Sequence, residues 1–178
     1  MRLQTFTGRL VHPMRLTVDD VDIRDIAHAL SMLCRFGGHA QQFYSVAQHS
    51  FLASQLVPPD EALWALLHDA SEAYLVDVPT PLKRLAAMSG YRAVEAQVQL
   101  TICHAFGLPH EMPASVHAVD GALVLTEAAH LLATGAGPDF DDIRRRVPPA
   151  AVKIVPVAPD VAERAFLKRY EQLTAVAA

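Results

Sequence analysis

Imidazole and carboxylate side chains that could bind a divalent metal ion occur at three separate places in the chain. His68 and Asp69 are adjacent, while His49 and Asp120 each lie in an otherwise apolar helical pattern. Neighbouring residues on a helix point about 100° apart, so a metal that touches both must lie beside the helix. Two ligands are too few, which makes His49 and Asp120 the expected partners. Burying such groups is costly unless they are paired or bound to metal.

Nitrogen and oxygen ligands together favour a borderline divalent ion such as Mn, Fe, Co, Ni or Zn. Glu72 follows His68 by one helical turn and could orient or deprotonate a water beside such an ion. Each residue taken singly also has an ordinary structural interpretation. A His-Asp pair commonly lies at a surface or cap, His49 fits a hydrogen-bonded core histidine, and Asp120 fits a cap before Gly121. On the residues alone, these alternatives stay open.

Helical periodicity predicts the elements that carry these residues. It favours helices over residues 22–36, 45–56, 61–74, 91–106, 113–133 and 160–175. Two prolines make residues 77–81 a rigid loop, a short turn follows at 82–86, and residues 135–149 form an exposed loop. Residues 152–157 are predicted to pair, as a short strand, with residues 3–11. The expected fold is therefore all-α, with a minor β element formed by the N-terminal and near-C-terminal segments.

Length and composition narrow the classes of protein. The chain has 178 residues, of which 52% are apolar, and a formal net charge of −4. This length predicts a single domain over residues 1–178, and the acidic balance argues against a nucleic-acid partner. Cys34 and Cys103 lack the spacing of a zinc finger or disulfide framework. No apolar stretch approaches the about 20 residues that span a bilayer, so we expect a cytoplasmic protein with no membrane partner.

Four short motifs follow one another along the chain: FYSVAQHS, HDASE, DVPTPLK and AVDGALVLTEA. With Arg35 before them, their order resembles the HD-domain metal-dependent phosphohydrolase superfamily. The resemblance is greatest to the compact branch that contains bacterial 5′-deoxynucleotidases and phage dATP triphosphohydrolases. It covers residues 35–127. The HD pair alone is a weak signal, whereas the combination of motifs is much more specific.

The resemblance implies a role for each residue that matches a family motif. The metal-binding positions of the family are occupied by His49, His68, Asp69 and Asp120. Glu72 falls on the acidic residue beside the attacking water, and Asp77 falls on the aspartate that supports that water. The implied centre holds one divalent transition metal ion per chain, with Mg²⁺ as an alternative for a triphosphate substrate.

The resemblance also implies the groups that contact substrate. Arg35 matches an arginine that reaches phosphate or sugar, and Lys83 matches the basic residue after the PTP loop. Phe36 stands where this branch commonly has a tryptophan, so it is expected either to contact the sugar or base or to anchor the helix end. His39 is a further candidate for phosphate, or it stabilises its turn.

The implied activity is hydrolysis of (deoxy)nucleotides by an HD-type helical bundle. Either phosphate leaves a nucleoside monophosphate or triphosphate leaves a deoxynucleoside triphosphate. Relatives in this branch self-associate, so a homo-oligomer is expected. Two other classes stay open: a catalytically silent HD-fold protein that binds nucleotide and regulates, and an all-α interaction module with an incidental His-Asp pair. Retention of all four ligand positions together with Glu72 and Asp77 argues against the silent class.

Overall fold

Helices account for most of residues 2–175, the part of the chain that the computed structural model describes. The α-helices are α1 (Ile23–Met32), α2 (Val46–Leu56), α3 (Ala62–Leu67), α4 (Glu72–Leu75), α5 (Thr80–Lys83), α6 (Ser89–Phe106), α7 (Ala114–Leu131), α8 (Asp141–Arg144) and α9 (Pro159–Ala175). Short 3₁₀ segments lie at Pro13–Arg15, Val18–Asp20, Arg35–Gly38, Pro59–Glu61, Ala86–Met88 and Pro138–Phe140. The predicted all-α fold is confirmed.

The minor β element is a hairpin within the N-terminal segment. Strands β1 (Leu3–Gln4) and β2 (Leu10–Val11) pair antiparallel, with Leu3 opposite Val11. The predicted pairing with residues 152–157 is wrong, because α2 holds that segment instead. The Gln48 side chain donates to the Val155 carbonyl at 2.7 Å and accepts from the Val157 amide at 3.1 Å. Residues 152–157 therefore run extended along α2 without forming a strand.

Helix α2 lies at the centre of the fold, packed against α1, α3, α7 and α9. Ser45 is its N-cap residue, and the Ser45 hydroxyl accepts a hydrogen bond from the Gln48 amide at 3.1 Å. Its neighbour α1 begins in the same way at Asp22, which accepts from the Arg24 amide. Most residues of α2 are buried, and they include His49. A polar side chain on this helix is therefore carried into the interior.

The predicted helix over residues 61–74 is interrupted at residues 68–71. Helix α3 ends at Leu67 and α4 begins at Glu72, with a tight turn between them. The turn is made of bonds between residues three apart, such as Glu72 amide to Asp69 carbonyl at 3.0 Å. The side chain of Gln99, from α6, lies against this turn. The adjacent His68 and Asp69 therefore lie in a turn rather than within a regular helix.

Large apolar side chains that are exposed occur mainly in the first half of the chain. Nine of these exposed apolar residues precede residue 77 and four follow it, namely Leu82, Leu85, Val155 and Val161. No helix among residues 2–175 is long and apolar enough to cross a membrane. The homo-oligomer expected from the sequence stays a prediction.

Candidate metal centre

The imidazoles of His49 and His68 meet in the interior. Helix α2 carries His49, which is fully buried, and His68 directly follows α3. Their Nε2 atoms are 3.2 Å apart. Ligands bound to one ion at about 2.1 Å are themselves separated by about 3.0–3.4 Å, so this distance suits two ligands of a single metal.

Two carboxylates complete the group. The Oδ2 atom of Asp69 lies 3.2 Å from His68 Nε2 and 3.9 Å from His49 Nε2. From α7, the Oδ1 atom of Asp120 lies 3.2 Å from His49 Nε2 and 3.9 Å from His68 Nε2. His49, His68 and Asp69 form a group able to hold a metal ion. Asp120 borders this group through its contacts with the two imidazoles. The side chains of Asp69 and Asp120 are 21% and 39% exposed, so the group opens to solvent on their side.

Both imidazoles are anchored at the nitrogen that faces away from this group. His49 Nδ1 lies 2.7 Å from Glu127 Oε1, and His68 Nδ1 lies 2.7 Å from the Ala65 carbonyl oxygen. An acceptor at each Nδ1 places the ring proton there, which leaves the Nε2 lone pair directed at the centre. Metal-binding histidines are oriented by this kind of outer hydrogen bond. The arrangement therefore fits a metal ion better than it fits an isolated pair of core histidines.

Glu127 contacts the candidate metal group, although the sequence assigned it no role. It is fully buried, and it accepts from Tyr44 Oη at 2.8 Å and Arg35 Nε at 3.1 Å in addition to its bond with His49. Burial alone would raise the pKa of Glu127, but His49 and Arg35 lower it, so the group stays ionised. Its position seven residues after Asp120 puts both carboxylates on one face of α7, a signal that was available from the sequence.

Arg35 links the buried Glu127 to the partly exposed Asp69. Its Nε donates to Glu127, and its Nη1 lies 3.4 Å from Asp69 Oδ2. Burial would lower the pKa of Arg35, but these two carboxylates raise it. Tyr44 is fully buried, and its hydroxyl donates a hydrogen bond to Glu127.

The turn after Arg35 approaches the loop that contains the PTP prolines, Pro79 and Pro81. Phe36 and Gly37 both adopt left-handed backbone, with φ of 57° and 60°. A Cβ atom at Gly37 would lie 3.4 Å from the Pro79 side chain, so the two loops pack closely there. Phe36 is partly buried against a small apolar cluster around Tyr44, as an anchoring residue would be. His39 is exposed and shows no side-chain hydrogen bond to the site among the described residues.

Glu72 is a buried carboxyl group with one uncommitted oxygen. Its Oε1 lies 3.3 Å from Lys83 Nζ, whereas its Oε2 has no hydrogen-bond partner within the described part of the chain. Burial raises the pKa of Glu72 well above its ordinary value, and the nearby Asp69 and Asp77 add to the rise. A carboxyl group whose pKa is raised in this way is suited to take up and release a proton during a reaction.

Lys83 is held by carboxylates on both sides. Its Nζ lies 2.6 Å from Glu95 Oε1 on α6, closer than its 3.3 Å contact with Glu72. Burial would lower the pKa of Lys83, but Glu95 and Glu72 raise it. Tyr91, one turn before Glu95, donates to the Val76 carbonyl at 3.0 Å. The first turns of α6 therefore support the loop between Glu72 and Lys83.

Asp77 follows a strained residue. Val76 directly follows α4 and has a φ of 67°, which a β-branched residue rarely adopts. Its amide donates to the Glu72 carbonyl at 2.8 Å, which stabilises this reversal of the chain. Asp77 is partly buried beyond it, and burial raises the pKa of its carboxyl group although Arg35 opposes the rise. The reversal places Glu72 and Asp77 within electrostatic range of each other.

The site carries an excess of negative groups. Around the two imidazoles, three carboxyl groups have a lowered pKa and one guanidinium lies among them, the members being Asp69, Asp120 and Glu127 against Arg35. Buried like charges are unfavourable unless a counter-charge lies among them. A divalent cation bound by His49 and His68 with the two aspartates would supply that counter-charge.

The chain is similar to two curated bacterial proteins. It is 39% identical over 174 residues to the uncharacterized protein YfdR of Escherichia coli strain K12, and the match covers 97% of this chain and 95% of YfdR. The chain belongs to the YfdR family. A second match, 36% identical over 119 residues, is to the uncharacterized protein RCAP_rcc00048 of Rhodobacter capsulatus and covers 62% of this chain and 60% of that protein. No family model matches the chain. The match to YfdR spans nearly the whole length of both proteins, and neither relative's name specifies an activity.

Proposed function

We propose that the chain is a metal-dependent phosphohydrolase of the HD type that acts on (deoxy)nucleotides. The observation that carries the proposal is the convergence of His49, His68, Asp69 and Asp120, with both imidazoles anchored at Nδ1 and the group open on its aspartate side. The same four residues occupy the ligand positions implied by the HD-domain resemblance. The donor set fits one divalent transition metal ion.

A metal ion bound there would act as a Lewis acid on a phosphate oxygen and lower the pKa of a bound water. Glu72 then provides the proton acceptor, because its Oε2 has no other partner among residues 2–175 while Lys83 holds its Oε1. Asp77 lies close enough to Glu72 to influence its charge. Arg35 offsets part of the negative charge of Asp69 and Glu127, which reduces their repulsion of an incoming phosphate.

The charges around the centre favour a monophosphate over a triphosphate. Lys83 is committed to Glu72 and Glu95, and Arg35 is committed to Asp69 and Glu127. We therefore propose that Lys83 holds Glu72 rather than a phosphate. A triphosphate would bring a larger negative charge to a site with few free cations, whereas a monophosphate needs little beyond the metal ion. Hydrolysis would release inorganic phosphate and a nucleoside.

A hydrolysis screen that separates nucleoside, inorganic phosphate and triphosphate as products tests this proposal. Purified protein would be assayed on matched mono-, di- and triphosphates of ribo- and deoxyribonucleosides, with Mn²⁺, Co²⁺, Zn²⁺ and Mg²⁺ added in turn. We expect turnover with a transition metal and a monophosphate, and its loss in His68→Ala but not in His117→Ala, an exposed histidine on α7. Nucleotide binding without release under every metal would refute the hydrolase and favour a regulatory protein. Release of triphosphate would refute the monophosphate assignment alone.

A further inference from the structure

The break between α3 and α4 has a specific cause in the side chain of Gln99. In an uninterrupted α-helix the Ser71 amide would donate to the Leu67 carbonyl four residues earlier. Here Gln99 Nε2 donates to the Leu67 carbonyl at 2.9 Å, and Gln99 Oε1 accepts from the Ser71 amide at 3.2 Å. One side-chain amide therefore replaces both halves of the missing helical bond. Insertion of a side chain into the helical hydrogen-bond ladder is a known cause of a kink.

Both backbone groups that Gln99 contacts lie in residues removed from water. Leu67 is fully buried and Ser71 is 4% exposed. The Leu67 carbonyl also accepts from the Ala70 amide at 3.1 Å, so among the described residues the Ser71 amide is the group that depends on Gln99 for a partner. A buried backbone amide without a partner costs about 1–3 kcal/mol. A carboxamide offers both a donor and an acceptor on one planar group at every pH. A leucine of similar size offers neither, and an ionised glutamate cannot donate to the Leu67 carbonyl.

The break lies where the candidate metal ligands are. His68 and Asp69 occupy the first half of the interrupted turn, and Glu72 begins the helix after it. In a regular helix these adjacent side chains would diverge by about 100°. In the tightened turn, Asp69 Oδ2 lies 3.2 Å from His68 Nε2, so both present their ligand atoms to one point.

We propose that Gln99 is a positioning residue of the metal centre. By separating the Leu67 carbonyl from the Ser71 amide, it keeps the turn open and directs His68 and Asp69 to the same ion. Gln99 touches neither the ion nor substrate, and it acts from α6, one turn beyond Glu95. The inference rests on the metal centre proposed above, but not on the identity of the nucleotide.

Metal affinity and the visible spectrum of the Co²⁺ protein test this role. Co²⁺ absorption reports the number and geometry of ligands, which a purely structural role of Gln99 would leave unchanged in the folded protein. Support from outside the ligand shell is typically worth about 10- to 100-fold in metal affinity. We expect Gln99→Leu to lose Co²⁺ affinity within that range and to change the spectrum. Gln97→Leu is the matched control, because Gln97 lies exposed on the same helix.

A second variant guards against a folding defect in Gln99→Leu. Gln99→Glu keeps an acceptor for the Ser71 amide but places an acceptor against the Leu67 carbonyl, so it should also weaken Co²⁺ binding and change the spectrum. Wild-type Co²⁺ affinity and spectrum in either folded variant would overturn the role of Gln99. Failure of the wild-type protein to bind Co²⁺ would overturn the metal centre itself, and with it the proposed function.

Discussion

Replacement of Glu127 by glutamine should weaken the fold far more than the same change in a similar pair near the surface. Glu127 accepts hydrogen bonds from His49, Tyr44 and Arg35, and its side chain is fully buried. A glutamine in its place removes the negative charge that balances Arg35 and turns one acceptor into a donor. Removing one partner of a buried ion pair costs about 3–5 kcal/mol, because the other charge is left uncompensated.

The chain contains a matched control for this change. His28 Nδ1 lies 3.1 Å from Glu163 Oε2, again a histidine with a carboxylate, but the two side chains are 33% and 22% exposed. Pairs that water reaches contribute about 0–1 kcal/mol. Glu163→Gln therefore removes the same kind of charge at a position where solvent can replace the lost contact.

The assay is unfolding by denaturant and by heat in the presence of a chelator, so that metal binding does not contribute. We expect Glu127→Gln to lower the unfolding free energy by about 3–5 kcal/mol, a Tm decrease of about 6–20 °C for a chain of this size. Glu163→Gln should lower it by less than about 1 kcal/mol. Equal effects of the two changes would refute the view that Glu127 is the buried counter-charge of the site.

Three further predictions concern the chemistry of the site. Elemental analysis should show that the Glu72→Gln variant keeps its metal. Its turnover should fall by about 10²–10⁴-fold, the usual contribution of a general acid or base. A loss of turnover below about tenfold would contradict the proposed role of Glu72. Glu95→Gln should release Lys83 toward Glu72 and lower kcat with KM unchanged, and an unaltered kcat would contradict this link. Burial lowers the pKa of His68, but the neighbouring Asp69 more than offsets this and raises it to about 9. Because metal binds the neutral imidazole, metal binding at pH 7.5 should release protons, and metal affinity should fall as the pH falls. Calorimetry in buffers of different ionisation enthalpy would detect the released protons. Binding heats that do not depend on the buffer would contradict this prediction.

The positions of the longer helices could be predicted because local signals decide them. Residues 113–133 were expected to form a helix, and α7 runs over Ala114–Leu131. The predicted end of α6 before Gly107 also agrees, since that glycine adopts the left-handed conformation that closes the helix. Apolar periodicity and capping residues are properties of neighbouring sequence, so they need no knowledge of the rest of the fold.

Features that depend on contacts between distant segments could not be predicted in this way. The interruption after Leu67 is bridged by Gln99, which is 32 residues away along the chain from Leu67. The pairing of Lys83 with Glu95 likewise joins two elements. Residue types and order were enough to predict that His49, His68 and Asp69 would lie together, but not which side chains would contact them from other elements.

The location of bound metal in a crystal tests the central claim most directly. Crystals of the Mn²⁺- or Co²⁺-loaded protein would be measured on both sides of the absorption edge of that metal. We expect one anomalous peak per chain, from a metal ion bonded at about 2.0–2.2 Å to His49 Nε2, His68 Nε2 and one oxygen each of Asp69 and Asp120. An absent peak in saturated crystals, or a peak bonded to other residues, would contradict the metal centre.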